Sequence, residues 1–209
     1  KESLNAFECN VKGNFINPLL EPSAPALNFN YTYKPDEELV VQTQTLTLTN
    51  VSELPLTFDL VAKTPFIIDT QGATLQPTES ITVTVEFDPG YRDDRQSHDI
   101  NTAISCTYAD HPQKDRFPLL AEINFPNLEF EYTDVKFGCI LNDTTKSLMT
   151  TIKNCSRVPT ALQWAFIESE QLGASKKKKP HIPINQVFDI LPIRSYLQPA
   201  ESEQVDFVY

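Results

Sequence analysis

The sequence predicts an all-β protein made of tandem immunoglobulin-like antiparallel β-sandwiches. Three observations lead to this fold class: apolar and polar residues alternate, prolines are frequent (16) while glycines are scarce (5), and two turn motifs occur twice. Strands with one buried and one solvated face show this alternation. Proline interrupts helices but is accepted at turns and on edge strands. The length of 209 residues suits one large domain or two small ones.

Apolar residues alternate with polar ones in four segments. Each segment predicts a strand that turns one face to a core and the other to solvent. Strands of this length and spacing are typical of a sandwich. The apolar positions are Leu56, Phe58 and Leu60; Ile81, Val83, Val85 and Phe87; Ile100, Ile104, Cys106 and Tyr108; and Phe117, Leu119, Ala121 and Ile123.

Two turn motifs occur in the same order in both halves of the chain. The segment Asn50–Pro55 returns 104 positions later as Asn154–Pro159. The segment Leu75–Ser80 returns 122 positions later as Leu197–Ser202, so the second copy has 18 more residues between its motifs. In the first motif, Asn and Ser side chains can bond nearby backbone groups and Pro fixes φ. The pair of motifs therefore predicts an internal structural repeat.

The repeat sets the expected domain boundaries. Residues 26–125 are expected to form a complete sandwich of seven or eight strands. Residues 126–209 are expected to form a second sandwich, with an insertion near 168–186. A third match is that residues 27–32 resemble residues 128–133.

Both ends of the chain are expected to hold parts of domains. Residues 1–25 are expected to contain the terminal strand of a preceding domain, over 7–15, and a linker. The second sandwich is expected to be incomplete at its C-terminus. Tyr209 aligns with Phe87, after which the first sandwich continues with two more strands. The missing strands would leave a sheet edge open to another strand.

Charge and cysteine content exclude several classes of protein. The net charge of −11 repels phosphate backbones and disfavours nucleic-acid binding. The chain has no run of 18 apolar residues, so no membrane-spanning helix is predicted. The four cysteines lack the spacing of a zinc site, and we expect free thiols, as in a reducing compartment. They are Cys9, Cys106, Cys139 and Cys155.

Few residues suggest catalysis or metal binding. The chain has no nucleophile-elbow, P-loop or dinucleotide-binding motif. Asp110 and His111 could begin a catalytic dyad, but a loop between strands explains them as well. Asp88, Asp93 and Asp94 could offer oxygen ligands to a cation, although two arginines lie among them. We expect no enzyme activity, no catalytic residue, no metal, no cofactor and no small-molecule substrate.

Four Asn-x-Ser/Thr sequons support an extracellular alternative. They begin at Asn30, Asn50, Asn142 and Asn154, and such sites are glycosylated in secreted proteins. Turn chemistry explains the two that recur in the repeat. Extracellular immunoglobulin domains also usually carry an inter-sheet cysteine pair around a strand Trp, and Trp164 has no such pair. An adhesion or receptor module stays the alternative.

One basic cluster stands out in this acidic chain. Lys176, Lys177, Lys178 and Lys179 lie within the insertion. The cluster could dock onto an acidic partner, could serve as a nuclear signal or could be a solvated loop. It is the one candidate partner-binding site in the sequence.

Five short motifs, in order, closely resemble the repeats of the hydin family. These repeats belong to the ASH class of immunoglobulin-like domains, related to the major sperm protein and PapD-like folds. The resemblance covers roughly the whole chain and carries no catalytic residues. The motifs are Phe87-Asp88-Pro89-Gly90-Tyr91, residues 108–115 (Tyr-Ala-Asp-His-Pro-Gln-Lys-Asp), 125–128 (Phe-Pro-Asn-Leu), 137–144 (Phe-Gly-Cys-Ile-Leu-Asn-Asp-Thr) and 154–156 (Asn-Cys-Ser).

The resemblance implies a non-catalytic structural scaffold of the central-pair apparatus of motile cilia and flagella. Such a scaffold would contribute to ciliary motility through protein–protein interactions. Its implied location is the cytoplasm and cytoskeleton, in the axoneme of the cilium or flagellum. Its implied partners are other central-apparatus proteins, with tubulin as a further candidate, and neither nucleic acid nor membrane. A hydrolase on a sandwich fold is a third class, but it would need converging acid and base groups.

Overall fold

The computed structural model describes residues 9–141, 144–167 and 183–209. Fifteen β-strands make up its regular structure, and the one helical element in these ranges is a short 3-10 turn at Ile184–Gln186. The all-β prediction is confirmed. No helix within the described ranges is long and apolar enough to cross a membrane.

The chain folds as two compact units. The first unit takes in the described residues up to Phe29, together with Val40–Tyr91 and Ile100–Ala121. The second takes in Asn30–Leu39, Arg92–Asp99 and the described residues from Glu122 to Tyr209. These units reflect spatial clustering. The domain boundaries expected from the sequence repeat therefore stay a prediction.

Nine strands form the two sheets of the first repeat. One sheet has the order β1-β3-β7-β5 and the other has the order β2-β9-β8-β4-β6. All four segments with alternating residues are strands, as predicted. The strands are β1 (Leu20–Pro22), β2 (Leu27–Thr32), β3 (Gln42–Asn50), β4 (Leu56–Val61), β5 (Phe66–Ile68), β6 (Gly72–Leu75), β7 (Ser80–Phe87), β8 (His98–Tyr108) and β9 (His111–Asn124).

An aromatic triangle joins the two sheets of the first repeat. The ring centroid of Phe29, on β2, lies 5.5 Å from that of Phe66 and 5.3 Å from that of Phe87. The Phe66 and Phe87 rings are 5.2 Å apart. All three side chains are buried, so the inward faces of both sheets share one core, as in a sandwich.

Six strands form the second repeat, and their sheet order copies the first. One sheet has the order β10-β11-β15-β13, and a separate pair joins β12 and β14. These correspond to β1-β3-β7-β5 and to the β4–β6 pair. No described residue forms a counterpart of β2, β8 or β9. The strands are β10 (Leu128–Phe130), β11 (Ser147–Asn154), β12 (Thr160–Gln163), β13 (Asp189–Leu191), β14 (Arg194–Leu197) and β15 (Ser202–Val208).

Strand pairing corrects the predicted match between residues 27–32 and 128–133. Leu20 on β1 pairs with Asn50, and Leu128 on β10 pairs with Asn154. Leu128 is therefore the counterpart of Leu20, and β10 corresponds to β1 and not to β2. The prediction failed because β1 and β2 both begin with Leu and a polar residue. Hydrogen bonding to a different sheet, which sequence similarity does not reveal, separates them.

Phe137 takes the place in the second repeat that Phe29 has in the first. Its ring lies 5.4 Å from Phe188 and 6.4 Å from Tyr209, and the Phe188 and Tyr209 rings are 5.5 Å apart. This triangle repeats the first one. Val135 and Phe137 are half-buried on either side of an exposed Lys136, yet they form no strand. In the first repeat, β2 is hydrogen-bonded to β9, and no described residue of the second repeat forms a counterpart of β9.

The N-terminal residues differ from the prediction. We expected a strand over residues 7–15, but the described part of that range, 9–15, has none. Phe15 is fully exposed, and no neighbouring strand offers it a hydrogen-bonded ladder. Residues 20–22, expected to lie in a linker, instead form β1 and pair with β3.

The inward face of β12 is only partly covered. In the first repeat, β4 is hydrogen-bonded to β6 on one side and to β8 on the other, and Phe58 and Leu60 are 1% and 2% exposed. Their counterparts Leu162 and Trp164 are only partly buried, and so is Phe166. Among the described residues β12 pairs with β14 alone, and none of them forms a strand at its other edge.

Backbone groups of alternate residues point to the open edge of β12. The Trp164 N–H donates to the carbonyl oxygen of Ile193 at 2.9 Å, which directs Trp164 and Leu162 toward β14. Alternate residues of a strand direct their backbone groups to opposite sides. The N–H and C=O groups of Ala161 and Gln163 therefore face outward. Such an edge accepts another strand.

We predict that a strand pair like β8–β9 covers this edge. Residues 88–124 of the chain can be attached after Tyr209 as a probe. The emission of Trp164, which is the only Trp in the chain, should move to shorter wavelength as its half-exposed ring becomes buried. Replacing Gln163 with Pro, which removes an outward N–H without touching β14, should abolish the shift. A Gly/Ser tail of equal length is the control, and the prediction fails if that tail gives the same shift.

Candidate functional site

The Asn50 side chain joins the two repeated motifs of the first repeat. It is fully buried. Its Nδ2 donates to the carbonyl oxygens of Leu54 and Leu75, at 2.9 and 3.0 Å. Its Oδ1 accepts from the backbone N and from Oγ of Ser52, at 3.0 and 2.6 Å. Both donors and both acceptor positions of the amide are thus used. We call the turn Asn50–Pro55 the first tip.

The Asn154 side chain repeats this arrangement bond for bond. It is also fully buried. Its Nδ2 donates to the carbonyl oxygens of Val158 and Leu197, at 2.9 and 3.0 Å. Its Oδ1 accepts from the backbone N and Oγ of Ser156, at 3.0 and 2.7 Å. We call the turn Asn154–Pro159 the second tip. The two tips are therefore the same local structure with different exposed side chains.

Backbone bonds hold each tip against the second motif. The Asn50 N–H donates to Glu79 at 2.9 Å, and the Thr78 N–H donates to Asn50 at 2.8 Å. The Glu79 carboxylate accepts from the Gln76 N–H at 2.7 Å. Thr78 has a φ of 67° and its counterpart Ala200 has a φ of 66°. Both turns therefore place a residue other than glycine in the left-handed region of backbone conformation, which costs some conformational energy.

Arg157, on the second tip, makes a network of ion pairs within the second unit. Its guanidinium contacts both carboxylate oxygens of Asp99, at 2.7 and 2.9 Å, and Glu122 at 3.1 Å. The bond from Arg157 holds the pKa of Asp99 below its usual value, and the two carboxylates raise the pKa of Arg157. Asn124 donates to the same Glu122 oxygen that Arg157 contacts, and Asn30 donates to the other oxygen of that carboxylate. The two-pronged contact fixes the orientation of the Arg157 guanidinium relative to the Asp99 carboxylate. It adds little to stability, because the charged groups are about half exposed.

The residues proposed as a catalytic dyad serve a turn. Asp110 is exposed in the turn between β8 and β9, and His111 begins β9. The Nδ1 atom of His111 accepts from the Gln113 N–H at 3.2 Å. These contacts are local ones, and they match the loop interpretation of the pair.

Two of the three aspartates proposed as cation ligands are also engaged locally. Asp88 accepts from the Gly90 N–H at 2.8 Å, and Asp94 pairs with Arg92 at 2.5 Å. Within the described ranges, no group of three or more His, Cys, Asp or Glu side chains is placed to hold a metal ion.

The four cysteines are unpaired in the structure. Cys106 is buried on β8, and burial raises the pKa of its thiol to about 12. The other three cysteines are exposed.

Two predicted features lie outside the described residues. They are the basic cluster Lys176–Lys179 and the sequon asparagine Asn142. Most of the expected insertion near 168–186 is also outside, and its described part ends in the 3-10 turn.

Sequence reasoning predicted the bonds of the repeated asparagines within their own turn but missed their bonds to the second motif, at Leu75 and Leu197. It also missed the network around Arg157, whose partners are 58 and 35 positions away in the chain. One signal was available for it. The aligned positions of the two tips carry opposite charges, Glu53 and Arg157.

The first repeat matches a known family of domains. Residues 37–119 match the model of the HYDIN/CFA65/VesB-like, immunoglobulin-like domain. This segment is a hydin-type immunoglobulin-like domain. The resemblance inferred from the five motifs is thereby confirmed.

Curated relatives extend the similarity over most of the chain. The mouse hydrocephalus-inducing protein is 34% identical over 172 residues, and the human homolog is 31% identical over 209 residues. These alignments cover 78% and 93% of this chain but only 3% and 4% of the relatives. Among solved structures, the ASH/PapD-like domain of human CEP192 is 15% identical, with a TM-score of 0.36, over 55% of this chain and 96% of that one.

We predict that Asn50→Ala and Asn154→Ala each lower the free energy of unfolding by about 2–4 kcal/mol, because several buried backbone groups lose their partner. Chemical denaturation measures the change. Asn28→Ala, at an exposed position on β2, is the matched control and should change stability little. Equal effects of the buried and the exposed substitutions would contradict the role given to the buried amides.

Arg157→Gln should raise the pKa of the Asp99 carboxyl toward its usual value, because the guanidinium now stabilises the ionised form. Titration followed by NMR at the Asp99 side chain measures this. Lys136→Gln, which removes a cation paired with Asp134, is the control and should leave Asp99 unchanged. An unaltered Asp99 titration in Arg157→Gln would mean that the ion pair does not form in solution.

Proposed function

We propose that this chain is a non-catalytic structural segment of a cilia-associated, hydin-like scaffold. The observation that carries the proposal is the 31–34% identity to hydrocephalus-inducing proteins over most of the chain. The matched family is not a known enzyme family. In this proposal the segment belongs to the central-pair apparatus of motile cilia. There it supports motility by holding neighbouring proteins.

The local geometry agrees with a role in binding proteins. His111 of the candidate dyad and Asp88 of the candidate cation ligands each accept a hydrogen bond within a turn. The most organised polar groups are instead the two tips, whose exposed side chains differ while their hydrogen bonds are the same. A constant frame with variable exposed residues suits a repeat that binds different neighbours.

Two of the four sequons speak against the extracellular alternative. The amide nitrogens of Asn50 and Asn154 are buried and each donates two hydrogen bonds. A glycan on that nitrogen would require the tip to open, since the nitrogen has no access to solvent. Asn30 is exposed on β2, so among the sequons that the structure describes it is the one at which glycosidase treatment of the native protein would reveal an attached glycan.

In this proposal, Lys176–Lys179 contact an acidic surface such as a tubulin tail. Exposed charges attract such a surface most strongly at low salt. We predict that replacing all four with Ser weakens cosedimentation with demembranated axonemes at low salt and leaves the melting temperature nearly unchanged. Replacing Lys12, Lys63, Lys114 and Lys136 makes the same change in net charge at dispersed positions and is the control.

The scaffold itself is tested with the unaltered chain. It should bind axonemes that contain a central pair and should not bind axonemes that lack one. Equal binding to both would contradict a place in the central-pair apparatus. Unchanged binding of the four-lysine variant would contradict only the assignment of the basic cluster.

A further inference from the structure

The first tip exposes an apolar side chain at a position where the corresponding side chain of the second tip is buried. Leu54, on the first tip, is 57% exposed, whereas its counterpart Val158 is 7% exposed. Both turns make the same hydrogen bonds, so the shape of the turn does not explain the difference. Something that packs on the second tip has no counterpart on the first.

The chain entering each repeat is not the cause. The Val51 N–H donates to the Leu19 carbonyl oxygen at 3.1 Å, and the Cys155 N–H donates to the Asn127 carbonyl oxygen at 2.9 Å. The entering segment is therefore seated in the same way on both tips. Among the described contacts, the groups that Arg157 binds are what distinguishes the second tip from the first.

Those groups are the ends of two neighbouring strands. Asp99 lies at the start of β8 and Glu122 near the end of β9, and both meet Arg157 within the second unit. The second tip thus shows what such a tip accepts: a pair of strand ends from an immunoglobulin-like repeat, with charges opposite to its own.

The first tip requires the reverse charge. Glu53 occupies the position of Arg157, is exposed, and has no cation within ion-pair distance in the described part of the chain. Asp110, together with Ser52 and Leu54 of the first tip, lines a pocket of about 170 Å³ in the first unit. The pocket lies beside Leu54 and is lined by Ile16, Pro18 and Tyr108 among others. Cavities of about this volume accept one benzene-sized group.

We propose that the first tip is a docking surface for the paired strand ends of another immunoglobulin-like repeat that carries basic residues at the positions of Asp99 and Glu122. The basic residues pair with Glu53, and an apolar side chain of the partner covers Leu54 and fills the adjacent pocket. The charge of each tip then selects which repeat end it accepts. The proposal needs only the repeat architecture, so it holds or fails independently of a ciliary location.

The test places a known strand-end pair on the first tip of the full chain. A second copy of residues 18–125, which includes β1, is attached before Pro18 in place of residues 1–17, so that Phe125 precedes a proline as it does naturally. The copy is used unaltered, with acidic ends, and with Asp99→Lys and Glu122→Lys, with basic ends. Each version is combined with Glu53 and with Glu53→Arg. Leu54→Cys, with Cys139→Ser and Cys155→Ser, reports coverage of the tip by its rate of thiol labelling.

The two oppositely charged combinations should label at least about tenfold more slowly than the two like-charged ones, and high salt should remove the difference. The combination of Glu53→Arg with the unaltered copy leaves the copy intact, so the result does not depend on whether the basic copy folds. Glu38→Arg, an exposed change of equal charge away from the tip, is the control. Equal labelling in all four combinations would overturn the proposal, whether the tip is covered in all of them or in none.

Discussion

The structure depends on one interaction, the buried amide of Asn50 and of Asn154. In each repeat this side chain lies between two turns that are far apart in sequence and satisfies backbone groups of both. A buried carbonyl or N–H without a partner costs about 1–3 kcal/mol, so no apolar residue can replace the amide without loss. β3 leads into the first turn and β7 leaves the second, so joining the two turns fixes the register of β3 against β7. The same holds for β11 against β15.

The differences between the repeats follow from which strands accompany this frame. In the first repeat, β8 and β9 complete the second sheet, and the aromatic triangle is buried beneath it. In the second repeat the triangle is present but half-buried. The segment around Phe137 keeps the inward and outward alternation of β2 without being a strand. Alternation is thus imposed by the core, whereas strand formation requires a hydrogen-bonded neighbour.

The sequence predicted the elements whose cause is local. Alternation located β4, β7, β8 and β9, because a half-buried strand imposes a period of two. The Asn-x-Ser turn was predicted from side-chain chemistry that acts over four residues. By contrast, the match of Leu128 was assigned to Leu27 when its counterpart is Leu20, because the two edge strands look alike and differ only in the sheet they join. The opposite charges of Glu53 and Arg157 were a signal for the network, but its partners could not be predicted, since they arise where separate strand ends meet in space.

The most direct test of this account is hydrogen exchange at the side-chain amides of Asn50 and Asn154, measured by NMR. An amide that donates two hydrogen bonds in a buried site exchanges only when the surrounding structure opens. Both side chains should therefore exchange far more slowly than that of the exposed Asn28, and each should exchange at the rate at which its own repeat opens. If Asn50 and Asn154 exchange as fast as Asn28 under conditions where the sheets stay folded, the two amides do not hold the turns together.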